Sequence, residues 1–146
     1  HMISFPGIVY RTYGNGFMVV GEAAGHVDYA TGEGIYYSMM SGEIAGKIAL
    51  NSYESEDYSA SFLKNYERAI NKTIGDDLKI AFFVRNNTMK TDHQQELMIS
   101  TFLKDKVYGS YLCKIFRGEV SYRDFKQWTL KHPLFLLKAF FACFRS

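Results

Sequence analysis

Apolar and polar positions alternate on two different periods along this chain, and the change falls near residue 34. Before it, the apolar residues come in short runs, Ile8-Val-Tyr10 and Phe17-Met-Val-Val20, on either side of Gly14-Asn-Gly16. Asn-Gly between two β-rich runs predicts a hairpin, and Phe5-Pro6-Gly7 predicts an extended lead-in. From Gly34 to about Asn51 the period is helical, with Ser38, Gly42 and Gly46 forming a stripe of small residues. A glycine inside a helix costs roughly 1 kcal/mol relative to alanine, so two of them imply a close contact in return. That face is expected to lie against the hairpin or a ligand; ordinary close helix packing accounts for it equally well.

Asn51 to Asp57 reads as a polar loop, with Ser55 to Asp57 as N-cap candidates. Tyr58, Phe62, Tyr66, Ala69, Ile70, Ile74, Leu78, Ala81 and Phe82 then keep helical spacing, which predicts one long helix to about Val84 with a kink near Gly75. Arg85 to Thr88 would end it, with Asn86 or Asn87 in a left-handed cap. Asp92, with Gln95 completing a capping box, is expected to start a helix through Leu103. Val107, Tyr111, Leu112, Ile115 and Phe116 mark a further helix closed by Gly118. Ser121 to Asp124 is a weaker capping signal before Phe125 and Trp128, and Pro133 suits the first turn of a last helix over the apolar run Leu134 to Phe144. The pattern is that of an α+β chain, mainly α: an N-terminal hairpin, a Gly-rich loop and five to six helices.

Composition narrows the partners. With 146 residues the chain can bury a real core. Aromatic residues make up 16%, supplied by 11 Tyr and 12 Phe, an excess that suits a piece that packs on another domain or on lipid. Net charge is only +2, but residues 1–103 carry 8 Lys/Arg against 12 Asp/Glu and residues 104–146 carry 9 against 3. A basic C-terminal third fits an anionic membrane surface; a solvated helical face with snorkelling side chains explains it as well. Nothing points to nucleic acid. Cys113 and Cys143 have no metal or redox spacing, which suits reduced thiols in the cytoplasm, and no apolar run reaches the length of a spanning helix. The expected location is cytoplasmic, with peripheral membrane contact. His1-Met2 reads as a tag remnant, placing the natural start near Ile3.

Six of the 12 glycines fall between Gly21 and Gly46, in Gly-Glu-Ala-Ala-Gly-His-Val followed by Thr31-Gly-Glu-Gly-Ile-Tyr-Tyr37. Strand, Gly-rich turn and helix start in that order let the backbone approach a ligand closely, with free N–H groups at the helix N-terminus facing an electron-rich group. The stretch resembles the second flavin-binding motif of the glutathione-reductase-like FAD oxidoreductases, and within them is most similar to the geranylgeranyl reductases, which reduce isoprenoid double bonds. The likeness covers roughly Gly16 to Ala49. The Gly-x-Gly-x-x-Gly fingerprint that opens such enzymes is absent, since Gly14-Asn-Gly16 is followed by a strand.

The resemblance therefore implies the C-terminal part of an FAD-binding α/β flavoenzyme, with residues 3–51 belonging to the FAD-binding domain and 52–146 forming a helical cap. Its partners would be the missing N-terminal FAD-binding part and a prenyl lipid substrate. It implies cofactor contacts at Gly21, Glu22, Gly32, Glu33, Gly34 and Ile35: Glu22 stands where the family has Asp on a ribityl hydroxyl, and Thr31 to Ile35 would bring backbone N–H groups to the flavin ring. Tyr29 replaces the usual Pro, loosening the loop. His26 reads either as a residue near the flavin or, more simply, as a histidine hydrogen-bonded within the loop. Asp28 and Glu33 are candidate general acids, but no catalytic residue is assigned and no metal set is present. The alternatives are a flavin monooxygenase or halogenase of the same fold, or a non-enzymatic helical interaction module.

Overall fold

The computed structural model describes residues 11–133. The expected strand over Ile8 to Tyr10 and the terminal apolar segment Leu134 to Phe144 lie outside the described residues. The chain divides into two compact units, one ending at Leu78 and the other beginning at Lys79.

The first unit opens on the hairpin. Strands β1 (Tyr13–Gly14) and β2 (Phe17–Met18) pair antiparallel, Tyr13 opposite Met18 and Gly14 opposite Phe17. Asn15-Gly16 is the two-residue turn, with Gly16 at φ 74°, a conformation costly for any residue with a Cβ. The ladder continues one step through the Val19 N–H, which donates to the Thr12 carbonyl at 2.7 Å. After a 3-10 turn, Gly21–Ala24, and an irregular loop comes helix α1 (Ile35–Glu54). It outruns the expected end at Asn51 because Ser52 and Ser55 close its last turn: Ser52 Oγ donates to the Asp57 carbonyl and Ser55 Oγ to the Asn51 carbonyl.

Helix α2 (Ala60–Ile70) is capped by Ser59, whose Oγ accepts the Phe62 N–H, rather than by Ser55 to Asp57. Asp57 instead accepts the Ser59 N–H and shapes the approach. The hairpin turn docks here: Asn15 Oδ1 accepts the Ala60 N–H at 2.7 Å, and the Gly16 N–H donates to the Tyr58 carbonyl at 2.8 Å. The expected long helix is interrupted. A π-helical turn, Asn71–Gly75, links α2 to α3 (Asp76–Thr88). Such a turn takes one residue more than an α-turn, and here it buries Ile74 and Gly75. Gly75 is buried within it, where a Cβ would lie 3.1 Å from Asn71 Oδ1.

The core of this unit is Tyr37, Ala45, Tyr66, Ile70 and Ile74, flanked by Tyr13, Met18, Met40, Ile44, Ile48 and Leu78. The buried side of α1 is thus Tyr37, Ser41, Ala45 and Ser52. This corrects the small-residue stripe. Ser38 does pack beside Gly21, but Gly42 and Gly46 are exposed and a Cβ at either would meet nothing within 4 Å. The packing side is turned one residue away, because Tyr37, Ile44 and Ile48 bury far more apolar area than a glycine can.

In the second unit α4 (Asp92–Lys104) begins with a capping box formed by Thr91 and Gln94, one residue earlier than the expected Asp92 and Gln95. Gln95 Nε2 donates instead to the Met89 carbonyl. α3 runs through Thr88, and no Asn adopts a left-handed cap: among the described residues, Glu56 is the one non-glycine with positive φ. Helix α5 (Lys106–Phe116) ends at Gly118, φ 69°, as expected. Helix α6 (Tyr122–Leu130) starts from a capping box of Ser121 and Asp124. Tyr111, Phe125 and Trp128 cluster between α5 and α6, with Tyr111 and Trp128 ring centres 4.6 Å apart.

Tyr66 is fully buried, and its hydroxyl donates to the Val19 carbonyl at 2.9 Å. Tyr66→Phe is expected to lower stability by about 1–2 kcal/mol, because that carbonyl loses its donor while the ring still fills the core. Urea unfolding should show a lower midpoint with an unchanged m-value.

Candidate functional site

The candidate site is the loop from Gly21 to Ile35, which leaves the hairpin and enters α1. Its start is fixed to α1. The Gly21 N–H donates to Ser41 Oγ at 3.0 Å, and Ser41 Oγ donates to the Ser38 carbonyl at 3.0 Å. Gly21 sits at φ 64°, and a Cβ there would lie 3.0 Å from Ser38 Oγ, so both backbone and space require glycine. The 3-10 turn closes with Gly25 at φ 72°; its N–H reaches the Glu22 carbonyl, and the His26 N–H reaches the Gly21 carbonyl.

Asp28 organises the second half. Its Oδ1 accepts the N–H groups of Ala30 and Thr31 at 2.8 and 3.2 Å, its carbonyl accepts the Gly32 N–H, and its own N–H donates to the Glu33 carbonyl. Thr31 Oγ1 accepts the Glu33 N–H, and the Glu33 carboxylate accepts the Tyr36 N–H at 2.8 Å. These contacts occupy both expected acids as backbone acceptors: Asp28 builds a turn, and Glu33 caps α1. Tyr29 does not loosen the loop. It is buried, and its hydroxyl donates to the Gly25 carbonyl at 3.3 Å.

Donors are left over at the start of α1. Among the described residues, the N–H groups of Gly34 and Ile35 have no partner, while those of Gly32, Glu33 and Tyr36 do. Gly34 is the residue before the first helical turn, and Ile35 is 76% exposed. These N–H groups carry part of the positive end of a 20-residue helix. Gly32 needs its glycine for backbone reasons, φ 78°, but Gly34 does not: φ is −129°, and a Cβ would meet only Val27, at 3.5 Å. The chain's own packing therefore leaves the missing side chain at Gly34 unexplained. The Glu22 side chain is exposed.

His26 is 4% exposed, and its Nδ1 is buried without a hydrogen-bond partner. The ring stands edge-on to Tyr66, centres 6.3 Å apart. The simpler expectation, a side chain hydrogen-bonded within the loop, fails at Nδ1; what joins the loop is the His26 backbone. Burial pushes the imidazole pKa down to about 4, so the ring is neutral at ordinary pH. Burial also raises the Tyr37 hydroxyl, with Asp28, Asp77 and Glu33 nearby adding to the shift. The buried Ser41 that fixes the start of the loop carries no sequence motif; only its place on the inner side of α1 marks it. Among the described residues no group of His, Cys, Asp or Glu could hold a metal ion.

Sequence comparison places this geometry in context. The chain is 44% identical over 75 residues to digeranylgeranylglycerophospholipid reductase 2 of Methanopyrus kandleri, which covers 51% of this chain and 19% of that protein. It is 45% identical over 62 residues to digeranylgeranylglycerophospholipid reductase of Methanocaldococcus jannaschii, covering 42% of this chain and 16% of the relative. A reductase 2 of Methanococcoides burtonii is 33% identical over 99 residues, 68% of this chain and 24% of its own length. The chain thus spans about a fifth of the length of the curated relatives it matches. The resemblance to geranylgeranyl reductases read from the Gly-rich stretch is borne out by these names. No family model matches the chain, and no solved structure does.

The His26 environment sets a pH dependence. The folded imidazole takes up its proton near pH 4 and the unfolded one near 6.5, so between these values the unfolded state binds more protons. Its contribution to stability should be complete above about pH 6.5 and decline as pH falls toward 4. Chemical unfolding of wild type and His26→Asn across that range should show their difference narrowing as pH drops; a constant difference would contradict the neutral, buried ring.

Proposed function

We propose that this chain supplies one half of a flavin cradle in an FAD-dependent oxidoreductase that saturates isoprenoid double bonds of a prenyl lipid. The observation that carries the reading is the pair of unpartnered N–H groups of Gly34 and Ile35 at the start of α1, beside a glycine that the chain's own packing does not require. FAD, when bound, would supply hydride from its reduced ring. Gly34 and Ile35 would donate to the electron-rich edge of that ring, where negative charge accumulates on reduction and fixed donors are most effective. Gly32 and the Asp28 turn hold those donors in place, and Glu33 caps the neighbouring N–H so that it does not compete. Glu22 would accept a hydrogen bond from a ribityl hydroxyl, its extra methylene reaching out from the 3-10 turn. The names of the relatives favour the reductase over the monooxygenase or halogenase alternative. No residue of this chain is assigned as proton donor.

The reading extends to the lipid surface. Ile99, Leu103, Val107 and Leu130 are exposed on helices that also carry Lys104 and Lys106, with Lys131 just past the end of α6. Exposed apolar side chains among lysines suit peripheral contact with anionic lipid. No helix among the described residues is long and apolar enough to cross a membrane. The chain should co-sediment with phosphatidylglycerol vesicles and much less with phosphatidylcholine vesicles, and added salt should release it; equal binding to both would remove the electrostatic part.

Flavin titration tests the main proposal. Half a cradle must order its ligand without the site for the pyrophosphate, so the chain alone should bind FAD weakly and purify colourless, with no reductase activity. Supplying the remaining four fifths of the Methanopyrus kandleri reductase should restore yellow colour. Glu22→Ala and Gly34→Ala should then weaken flavin retention by at least about tenfold, equivalent to about 1.4 kcal/mol. Stoichiometric, micromolar FAD binding by the chain alone would overturn the half-cradle reading.

A further inference from the structure

Helix α1 has a second apolar side that none of the described residues covers. Ile35, Met39, Gly42, Gly46, Ala49, Leu50 and Tyr53 recur at helical spacing and are all exposed, Ile35 at 76%, Met39 at 71%, Leu50 at 58% and Tyr53 at 71%. From Ile35 to Tyr53 the line runs about 27 Å at 1.5 Å per residue. No charged residue interrupts it. Glu43 and Lys47, at its margin, neutralise each other in an ion pair of 2.6 Å. Single exposed apolar side chains are ordinary, but a continuous stripe of this length on a soluble face marks an interface.

The two glycines sharpen the point. Inside a helix each weakens it relative to alanine, and a Cβ at Gly42 or Gly46 would meet nothing within 4 Å. Among the described residues, then, the missing side chains bring no contact in return. Between Met39 and Leu50 they leave a shallow trough in which another backbone could approach the helix closely. The relatives at 44% and 45% identity are about five and about six times longer than the stretch they share with this chain, so the rest of such a protein has to meet this piece somewhere.

We propose that the Ile35–Tyr53 side of α1 is the docking surface for the remainder of the full-length flavoprotein, which lays an apolar element along the Gly42/Gly46 trough. The proposal rests on the half-cradle reading, since the same helix would carry free donors at its N-terminus and the docking surface along its length. Docking would fix the position of Gly34 and Ile35 relative to the rest of the cofactor site.

The test uses one substitution with opposite expected effects. In the chain alone, Gly42→Leu fills open space and replaces a poor helix former, so Tm should rise by roughly 2–4 °C. Binding to the remaining four fifths of the Methanopyrus kandleri reductase, followed by sedimentation velocity, should fall by at least about tenfold. Gly46→Leu should behave alike, and Lys72→Ala, on the π-helical turn, should change neither. Equal binding of wild type and Gly42→Leu would overturn the proposal, as would absence of binding by wild type. A wild-type chain that dimerises by itself and is made monomeric by Gly42→Leu would also overturn it, assigning the face to a second copy. Flavin is read separately by absorbance. A colourless complex that is still broken by Gly42→Leu would retain the docking face and reject the flavin reading, whereas a yellow complex indifferent to Gly42→Leu would do the reverse.

Discussion

The first unit depends on a small buried polar knot that ties the hairpin exit to both helices. Ser41 on α1 accepts the Gly21 N–H, and Tyr66 on α2 donates to the Val19 carbonyl two residues earlier. Ser41 and Tyr66 are both fully buried. Where the chain leaves the short ladder, its backbone groups would otherwise be buried without partners, which is costly. Satisfying them from two helices fixes where the Gly-rich loop begins. The Tyr66 hydroxyl, its pKa pushed up to about 12 mainly by burial, remains a neutral donor throughout the ordinary pH range.

From that anchor, the Asp28–Glu33 half of the loop bonds largely to itself. Asp28 and Glu33 look like acid–base candidates as residue types, yet both carboxylates accept backbone N–H groups and shape the entry to α1. What the loop leaves open is backbone, at Gly34 and Ile35. A site made of helix-end donors is suited to holding developing negative charge rather than to moving protons. This division of labour fits a chain in which the redox chemistry would come from a cofactor and the protein contributes position and field.

Helix α1 serves three directions at once. Its inner side, Tyr37, Ser41 and Ala45, builds the core; its N-terminus carries unpartnered donors; and its outer side is apolar and uncovered among the described residues. That one side is bare here agrees with a chain spanning about a fifth of the relatives it matches. The hairpin has only two strands, and a two-stranded ribbon is marginal without packing; here Asn15 and Gly16 brace it on the start of α2.

Legible along the chain were the hairpin at Asn15-Gly16, five helical stretches in outline, with α2 and α3 read as one, and the stop at Gly118. Those follow from local rules: turn residues that tolerate positive φ, apolar period and short-range capping. The sequence also carried the family resemblance, and the left-handed conformations of Gly21, Gly25 and Gly32 are backbone reasons for three of the motif's glycines. Tertiary structure alone decided which side of α1 faces inward. Gly42 and Gly46 share a side with Ser38 on any helical wheel, but burial of Tyr37, Ile44 and Ile48 turned the helix so that the glycines face out. The π-helical turn at Asn71–Gly75, the neutral ring of His26 and the capture of Asp28 and Glu33 as backbone acceptors were equally out of reach. Each depends on which groups meet in space, and burial and competition for hydrogen bonds are properties of the packed chain rather than of any window along it.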